Sequence, residues 1–514
     1  MGSGYFGMDD ARRTEHSPAP PPELWESLAR HGQDHLLRWW PELTPRQREE
    51  LVGDLRRIPF AEVDQVIARL VHGEEEHPDI SQVEPVEVHR LPGTDGQRRM
   101  RRLAAEEGER MLTRGEVAVV VVAGGQGTRL GFDGPKGTFP IGPVSRASLF
   151  QIHAEKILAL SRRHGHPLPL YVMTSPENHD ATTRFFAEHD QFGLPRVRMF
   201  TQGQMPAVDR VSGKILLAEK GRVALSPDGH GGTLSALAQP GPNGGLSCLQ
   251  EMRTLGVRTI FYYQVDNPFV QIADPAFLGL HHAAASEVSF KVIEKLAPEE
   301  KLGVVVRIDG VPQVIEYSNL PPALAEAREV DHSLRFWAGS IAVHLFEIDF
   351  MERVLAHVET FPFHRAFKKV PYVDDAGQLV TPDEPNAVKF ERFIFDTLPL
   401  AQRWVLVETD RALEFEPLKN ATGPDSPESV RRRMTEQFAD WLEAAGMSPP
   451  REPDGSVRFD LEISPLYALD AAELRAKLQQ KGPFSIEGPL YLRPEGLSVE
   501  TGVQDEKTAQ PRRD

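Results

Sequence analysis

An α/β fold with a doubly wound, mostly parallel sheet, a helical N-terminal domain and a small α+β C-terminal domain is predicted by three observations. A valine-rich run, Val117–Ala123, opens directly onto a glycine-rich loop. Strand and helix patterns then alternate as βαβ units require. Before them, apolar residues recur at three- and four-residue spacing, the mark of amphipathic helices.

Each element has its own justification in chain order. Residues 1–22 are polar and end in Pro18-Ala-Pro-Pro-Pro22, which predicts a disordered leader. A helical N-terminal domain is expected over 23–105, from the segments Leu28–Trp40, Thr44–Arg57 and Phe60–His72. Thr44-Pro45 is a good helix start, with a capping hydroxyl before a proline that needs no amide partner. Asp79–Pro92 reads as a linker, and Arg98–Arg114 as a charged helix leading into the first strand.

The central α/β domain is expected over 106–405. Its strands are Val117–Ala123, Leu168–Thr174, Val197–Phe200 and Thr259–Val265, with helices at Ala147–Arg163 and His179–His189. An unbroken apolar run such as Val117–Ala123 suits a strand buried on both faces of a parallel sheet. Gly303–Tyr317 reads as a hairpin turning at Asp309-Gly310. A C-terminal domain is expected over 406–500, with a helix at Pro427–Ala445, followed by a flexible tail over 501–514. No internal repeat interrupts this order.

Composition excludes several classes. With 514 residues the chain has room for about three units of ~150 residues each. Hydrophobic residues make up 40% and charged residues 26%, enough for a core. No apolar stretch approaches the ~18 residues that span a bilayer, so no membrane partner is expected. The N-terminus lacks a secretion core, and Phe6 stands where a myristoylation motif needs Ser or Thr, so a cytoplasmic location is expected. Cys248 is the only cysteine; it cannot form an intramolecular disulfide and reads as a buried small hydrophobe. A net charge of −17 argues against a nucleic-acid surface, which needs extended basic patches. A small anionic ligand needs only local cations.

The loop after the first strand supplies them. Gly124, Gly125 and Gly127 remove Cβ atoms that would hold a phosphate away from backbone N–H groups, and Arg129 and Lys136 add positive charge. This is a cradle for a nucleotide triphosphate. The dinucleotide fingerprint fails because Leu130 stands where its third glycine belongs, and the Walker pattern fails because Lys136 is followed by Gly137. The competing reading is a tight turn carrying two solvated cations.

These residues belong to a longer ordered set: Ala123-Gly-Gly-Gln-Gly-Thr-Arg-Leu-Gly131, Pro135-Lys-Gly137, Ser148-Leu-Phe-Gln-Ile152, Gln202-Gly203, Ser226-Pro-Asp-Gly-His-Gly-Gly232 and Val265-Asp-Asn267. It continues through Val314-Ile-Glu-Tyr-Ser318, Ala338-Gly-Ser-Ile341, Asn386-Ala-Val-Lys-Phe-Glu391, Phe415-Glu-Pro-Leu-Lys-Asn420 and Glu462-Ile-Ser-Pro-Leu466. The set resembles the UDP-sugar pyrophosphorylases, most closely the eukaryotic-type UDP-N-acetylglucosamine pyrophosphorylases. The resemblance implies a Rossmann-like nucleotidyltransferase sheet of GT-A-like kind. It also implies transfer of uridylate from UTP to a hexose 1-phosphate with release of pyrophosphate. It assigns nucleotide binding to the backbone from Val122 through Ala123, Gly124 and Gly125. Arg129 would sit on the leaving phosphates, Lys136 and Lys389 on the nucleotide phosphates, and Lys419 on the sugar phosphate. For Lys389 and Lys419, a solvated surface charge is the competing reading.

Asp266 ends the strand Thr259–Val265, where an open parallel sheet places functional groups, and it is assigned to Mg²⁺. Magnesium accepts one or two carboxylates completed by phosphate oxygens and water, so a lone aspartate suffices. The alternative is a carboxylate capping the turn at Asn267-Pro268. Gln202 carries an amide whose donor and acceptor match uracil, beside the Gly229 backbone; otherwise it is a loop amide bonded locally. Glu316 and Tyr317 resemble the family's sugar-hydroxyl contacts; without the family, Tyr317 reads as core.

The sequence departs from the family at the sugar. Where the acetylamino-sugar enzymes have Asn after Pro-Asp-Gly, this chain has His230, as glucose-type relatives do. An expected sugar-binding amide is also replaced by the hydroxyl of Ser340. Both N-acetylglucosamine 1-phosphate and glucose 1-phosphate therefore stand as acceptors. Two other classes compete: a nucleotide-sugar sensor without chemistry, and a nicotinamide-dependent oxidoreductase, which the failed fingerprint at Leu130 opposes.

Overall fold

Alternation explains the central strand. Along Val117–Val122, residues Val117, Val119 and Val121 enter one apolar core while Ala118 and Val120 enter another. A run with no polar residue is what a strand covered on both faces requires. The computed structural model describes residues 19–73, 82–357, 361–481, 484–494 and 496–499. Contacts divide the chain into two units, one made of Met1–His77, Gln204–Gly229 and Phe363–Glu391, the other of Pro78–Gly203, His230–Pro362 and Arg392–Asp514.

The larger unit holds a sheet of ten strands among the described residues. Thr259–Gln264, Val117–Val122, Leu170–Thr174 and Val197–Thr201 lie side by side and parallel. Beyond Thr259–Gln264 the long strand Ala338–Glu347 runs antiparallel, and it also pairs antiparallel with Val288–Glu294 and Val304–Ile308. Helices cover both faces. Leu149–His164, Pro275–Ala283 and Pro427–Ala444 bury side chains in the first core; Thr233–Ala238, Cys248–Thr254 and Ile348–Leu355 do so in the second. The doubly wound α/β expectation holds for this sheet, with its parallel strands at the glycine loop.

Local sequence accounts for the main elements. Asp95–Thr113 starts at a capping box in which Gln97 N–H donates to Thr94 Oγ1 and Thr94 N–H to the Gln97 side chain. Helix Leu149–His164 is capped by Ser148 and stops at Gly165, whose φ of 65° suits glycine. The expected hairpin forms from Val304–Ile308 and Val311–Ile315, and Asp309 and Gly310 both have positive φ, as a two-residue turn of that kind demands. Cys248 is buried, and burial pushes its thiol up to about 11, so it behaves as the expected hydrophobe.

The smaller unit combines the helices Pro22–Arg30, Pro45–Arg57 and Phe60–Leu70 with short strands from two later segments. Leu28, Leu36, Trp40, Leu51, Leu55 and Ile67 share one core with Met205, Val208, Phe363, Val388 and Phe390. Buried Asp54 joins the segments: its carboxylate accepts from Arg57, from Arg222 at 2.9 Å and from Val223 N–H at 3.2 Å.

Several boundaries differ from the sequence-based ones. The helix expected over Leu28–Trp40 ends at Arg30, because Gly32 turns the chain at φ 64° and short 3₁₀ turns follow. The N-terminal helices do not form a domain by themselves, since residues 204–229 and 363–391 complete their core. The helix Asp95–Thr113 belongs to the larger unit, packed so closely on Pro275–Ala283 that a Cβ on Gly279 would lie 1.7 Å from the Ala104 carbonyl oxygen. Within the expected linker Asp79–Pro92, residues 79–81 lie outside the described residues, and Val83–Pro85 is an edge strand on Val304–Ile308.

The expected C-terminal domain does not stand apart either. Trp404–Glu408 pairs parallel with Val288–Glu294, and Val430, Phe438, Leu461, Ile463 and Leu490 enter the same core as Val117. Of the expected leader over 1–22, residues 1–18 lie outside the described residues, and Pro22 already opens a helix. The expected tail over 501–514 lies outside them as well. No helix among the described residues is long and apolar enough to cross a membrane.

Candidate active site

The glycine loop begins where three parallel strands end together. Ala123 N–H donates to the Met173 carbonyl at 2.8 Å, and Val265 N–H to the Val122 carbonyl at 3.0 Å. The loop is closed on itself by Gly127 N–H to the Gly134 carbonyl at 2.9 Å and by Lys136 N–H to the Gly125 carbonyl at 3.0 Å. Asn178, before the helix His179–Glu188, donates its amide to the carbonyls of Ala123 at 2.9 Å and Gly125 at 3.3 Å, while accepting from Ser175 N–H. Sequence reasoning missed Asn178. Its signal is a short polar stretch, Ser175-Pro-Glu-Asn178, directly after a buried strand.

Two glycines have different reasons. A Cβ on Gly124 would lie 2.9 Å from Gln202 Oε1, so glycine lets the buried Gln202 side chain reach the loop. A Cβ on Gly125 would meet nothing within 4 Å. Neither packing nor backbone strain demands glycine there, and the space it leaves is the space a phosphate cradle needs.

Lys136 carries the loop's charge to the neighbouring strand end. Its Nζ donates to Asp266 Oδ2 at 2.9 Å. Burial pushes the Asp266 carboxyl up, but the nearby Lys136 and Lys419 ammonium groups outweigh burial and hold it below the usual carboxylate range. Lys419 is placed by the segment after Phe415: Leu418 N–H donates to the Asp266 carbonyl at 2.8 Å and Lys419 N–H to that of Asp425. The Asn267 amide binds the same segment, donating to the Glu414 carbonyl at 2.7 Å and accepting from Glu416 N–H at 3.2 Å. Asn267 also accepts from Phe269 N–H. The turn after the strand is therefore capped by Asn267, and the capping alternative for Asp266 falls away.

Asp266 and Lys419 line a cavity of about 210 Å³ together with His230, Glu316, Tyr317 and Ser340. Cavities of about 400 and 580 Å³ lie elsewhere in this unit, but neither gathers the candidate residues. Ser340 sits on Ala338–Glu347 and its N–H donates to the Gly303 carbonyl at 2.8 Å. Glu316 and Tyr317 follow the hairpin; Tyr317 is 47% exposed, which removes the core reading for it. His230 is held by Ile394 N–H, which donates to its Nδ1 at 3.2 Å, and its ring packs near Phe393 and Phe395. An imidazole accepting at Nδ1 carries its proton on Nε2.

Arg129 is exposed on the turn Thr128–Leu130 and has no ion-pair partner among the described residues. Lys389 and Gly229 belong to the smaller unit, Lys389 on Ala387–Glu391 opposite Ala366 and Gly229 at φ 84°.

Among the described residues no group of three or more His, Cys, Asp or Glu side chains is arranged to hold a metal. The donor set fits magnesium in its other mode, one carboxylate at Asp266 with phosphate oxygens and water filling the sphere. Asp266 is charged and close to the glycine loop, as that mode requires.

Backbone opened by glycine beside an ammonium and a carboxylate, at the carboxyl end of parallel strands, is where such sheets receive nucleotide phosphates. Fold and site together define a nucleotide-binding α/β protein. The chain belongs to the UTP–glucose-1-phosphate uridylyltransferase family, whose model matches residues 64–423. UDP-N-acetylhexosamine pyrophosphorylase-like protein 1 of Homo sapiens is 38% identical over 498 residues, covering 90% of this chain and 96% of the relative. UDP-N-acetylglucosamine pyrophosphorylase of Saccharomyces cerevisiae is 35% identical over 437 residues, covering 81% and 90%. Among solved structures, uridine diphosphate N-acetylglucosamine pyrophosphorylase of Trypanosoma brucei, in complex with an inhibitor, matches with a TM-score of 0.78 at 28% identity, covering 91% of this chain and 97% of that one.

Proposed function

We propose that the protein is a uridylyltransferase that makes a UDP-sugar and pyrophosphate from UTP and a hexose 1-phosphate, N-acetylglucosamine 1-phosphate or glucose 1-phosphate. The observation that carries this reading is the convergence of Lys136 and Lys419 on Asp266 at the mouth of the glycine loop. A GT-A-like nucleotidyltransferase layout is part of the reading, supported by the parallel strands that end at that loop.

The chemistry asks little of a base. A phosphate monoester has its second pKa near ~6, so the attacking oxygen is already ionised at neutral pH. It forms a bond to the α-phosphorus of UTP while the bond to the bridging oxygen breaks and pyrophosphate leaves. The barrier lies in bringing two polyanions together and spreading the developing charge, which positioning and electrostatics lower. Lys136 neutralises charge at the nucleotide phosphates, and Lys419 binds the sugar phosphate from the cavity side. Gln202 reads uracil beside Gly124. His230 faces the sugar from the cavity it lines with Glu316 and Ser340. Asp266 would hold Mg²⁺, which supplies positive charge to the phosphate oxygens when bound.

The names of the relatives support an N-acetylhexosamine 1-phosphate acceptor, whereas His230 and Ser340 lack the amides expected for an acetamido group. A panel of sugar 1-phosphates with UTP and Mg²⁺, read by pyrophosphate release, tests the reading. Turnover with either acceptor supports it, and UTP binding with no turnover on any sugar phosphate overturns it in favour of a sensor.

A further inference from the structure

The loop that follows Asp266 is held by donors from one helix. His153 Nε2 donates to the Val265 carbonyl at 2.9 Å, and Lys156 Nζ, three residues further along Leu149–His164, donates to the carbonyls of Pro268 at 2.6 Å and Val270 at 2.9 Å. The Asp266 carbonyl is taken by Leu418 N–H. Main-chain oxygens on both sides of Asp266 are thus aimed by groups outside the loop. Packing cannot do this alone, because a cavity of about 580 Å³ opens behind the loop, lined by Lys156, Pro268, Val270 and Ile272.

These two residues are poor choices for stability. Burial, with Lys156 nearby, pushes the His153 imidazole down to about 3, and burial pushes the Lys156 ammonium down to about 8. His153 Nδ1 is buried with no hydrogen-bond partner among the described residues, while the ring is fixed edge-on to Tyr263 at 5.0 Å. Apolar side chains would fill the same space without desolvating either group. What they would not do is orient three carbonyls.

We propose that His153 and Lys156 are positioning residues that fix Asp266, and the metal it holds, against the nucleotide phosphates. The inference rests on the uridylyltransferase reading above. Asp266 is the contact group; the helix acts through it. Misplacing such a group by about 1 Å costs on the order of a hundredfold in rate.

The test uses the full chain with Lys156→Met, His153→Leu and the donor-keeping His153→Gln. Three quantities are read: kcat and KM for UTP and the sugar phosphate, Mn²⁺ affinity in the presence of UTP by electron paramagnetic resonance, and the urea midpoint. Lys156→Met and His153→Leu should lower kcat by at least about tenfold and weaken Mn²⁺ binding, with KM for the sugar phosphate little changed, and His153→Gln should recover most of both losses. Unchanged kcat and Mn²⁺ affinity with only a lower urea midpoint would mean a structural role and overturn the proposal. If Lys156→Met does not fold, the comparison of His153→Gln with His153→Leu decides: equal Mn²⁺ affinity in the two refutes positioning. Absence of turnover in the unaltered protein would remove the uridylyltransferase reading, while the Mn²⁺ comparison would still judge the helix.

Discussion

Lys136 Nζ stands 2.9 Å from Asp266 Oδ2, so the cation of the glycine loop and the carboxylate ending the adjacent strand form an ion pair. Both side chains are mostly buried, which strengthens the pair relative to one in water. An incoming triphosphate would compete with Asp266 for Lys136, and a divalent cation with Lys136 for Asp266.

Removing the cation should expose its share of the barrier. Lys136→Ala is expected to lower kcat/KM for UTP by roughly 3 kcal/mol of barrier, the cost typical of losing one preorganised electrostatic donor. Pyrophosphate release against UTP concentration measures it. Lys136→Arg should recover only part of the loss, because a planar fork does not replace a compact ammonium facing one carboxylate oxygen.

Acid should weaken the fold through the same pair. Burial raises the Asp266 carboxyl, Lys136 and Lys419 lower it by more, and the folded value ends below the unfolded one. A depressed carboxylate contributes stability above its unfolded value of about 4, and that contribution is lost as pH falls through the folded value. Urea midpoints from pH 6 downward should fall less steeply with acidity in Lys136→Ala than in the unaltered protein. Parallel curves would remove Lys136 as the cause.

Gly124→Ala should act on the nucleotide and spare the sugar. The added methyl would lie 2.9 Å from Gln202 Oε1 and force that buried side chain aside. Overpacking of this kind costs about 1–3 kcal/mol, part of it visible as a raised KM for UTP. Titration with UTP and CTP should show reduced preference for uracil, since Gln202, the proposed reader of the base, is the group displaced. Full retention of that preference would take Gln202 out of base recognition.

Sugar choice should turn on His230. An asparagine there can accept from Ile394 N–H with its oxygen and present its amide to an acetamido group. His230→Asn is expected to raise the ratio of kcat/KM for N-acetylglucosamine 1-phosphate over glucose 1-phosphate by about tenfold, the factor that one net hydrogen bond of about 1.4 kcal/mol provides. An unchanged ratio would exclude His230 as the selector.

Local signals made the glycine loop, the hairpin turn and the buried strands legible. Val117–Val122 announces its burial by having nothing polar, and Asp309-Gly310 announces its turn by the φ it needs. Val83–Pro85 was not legible: three residues are too few for a period, and its partner Val304–Ile308 is more than 200 residues away in the chain. The C-terminal helix Pro427–Ala444 was found, but its membership of the main core was not, because an apolar face does not state what it will cover. At the site, Asp266 and Lys136 could be read from their motifs. Asn178, Asn267, His153 and Lys156 could not, since their roles consist of aiming main-chain carbonyls, and such partners leave no trace in side-chain chemistry.

The smaller unit assembles its core from three separated segments, residues 28–67, 205–223 and 363–390. During synthesis on the ribosome its first helices emerge long before Phe390, which their interior needs, has been translated. Nascent chains grow at about 5–20 residues per second, so these helices wait tens of seconds with an unfinished apolar face. That interval is an opening for chaperones, and for aggregation if translation stalls before the third segment appears.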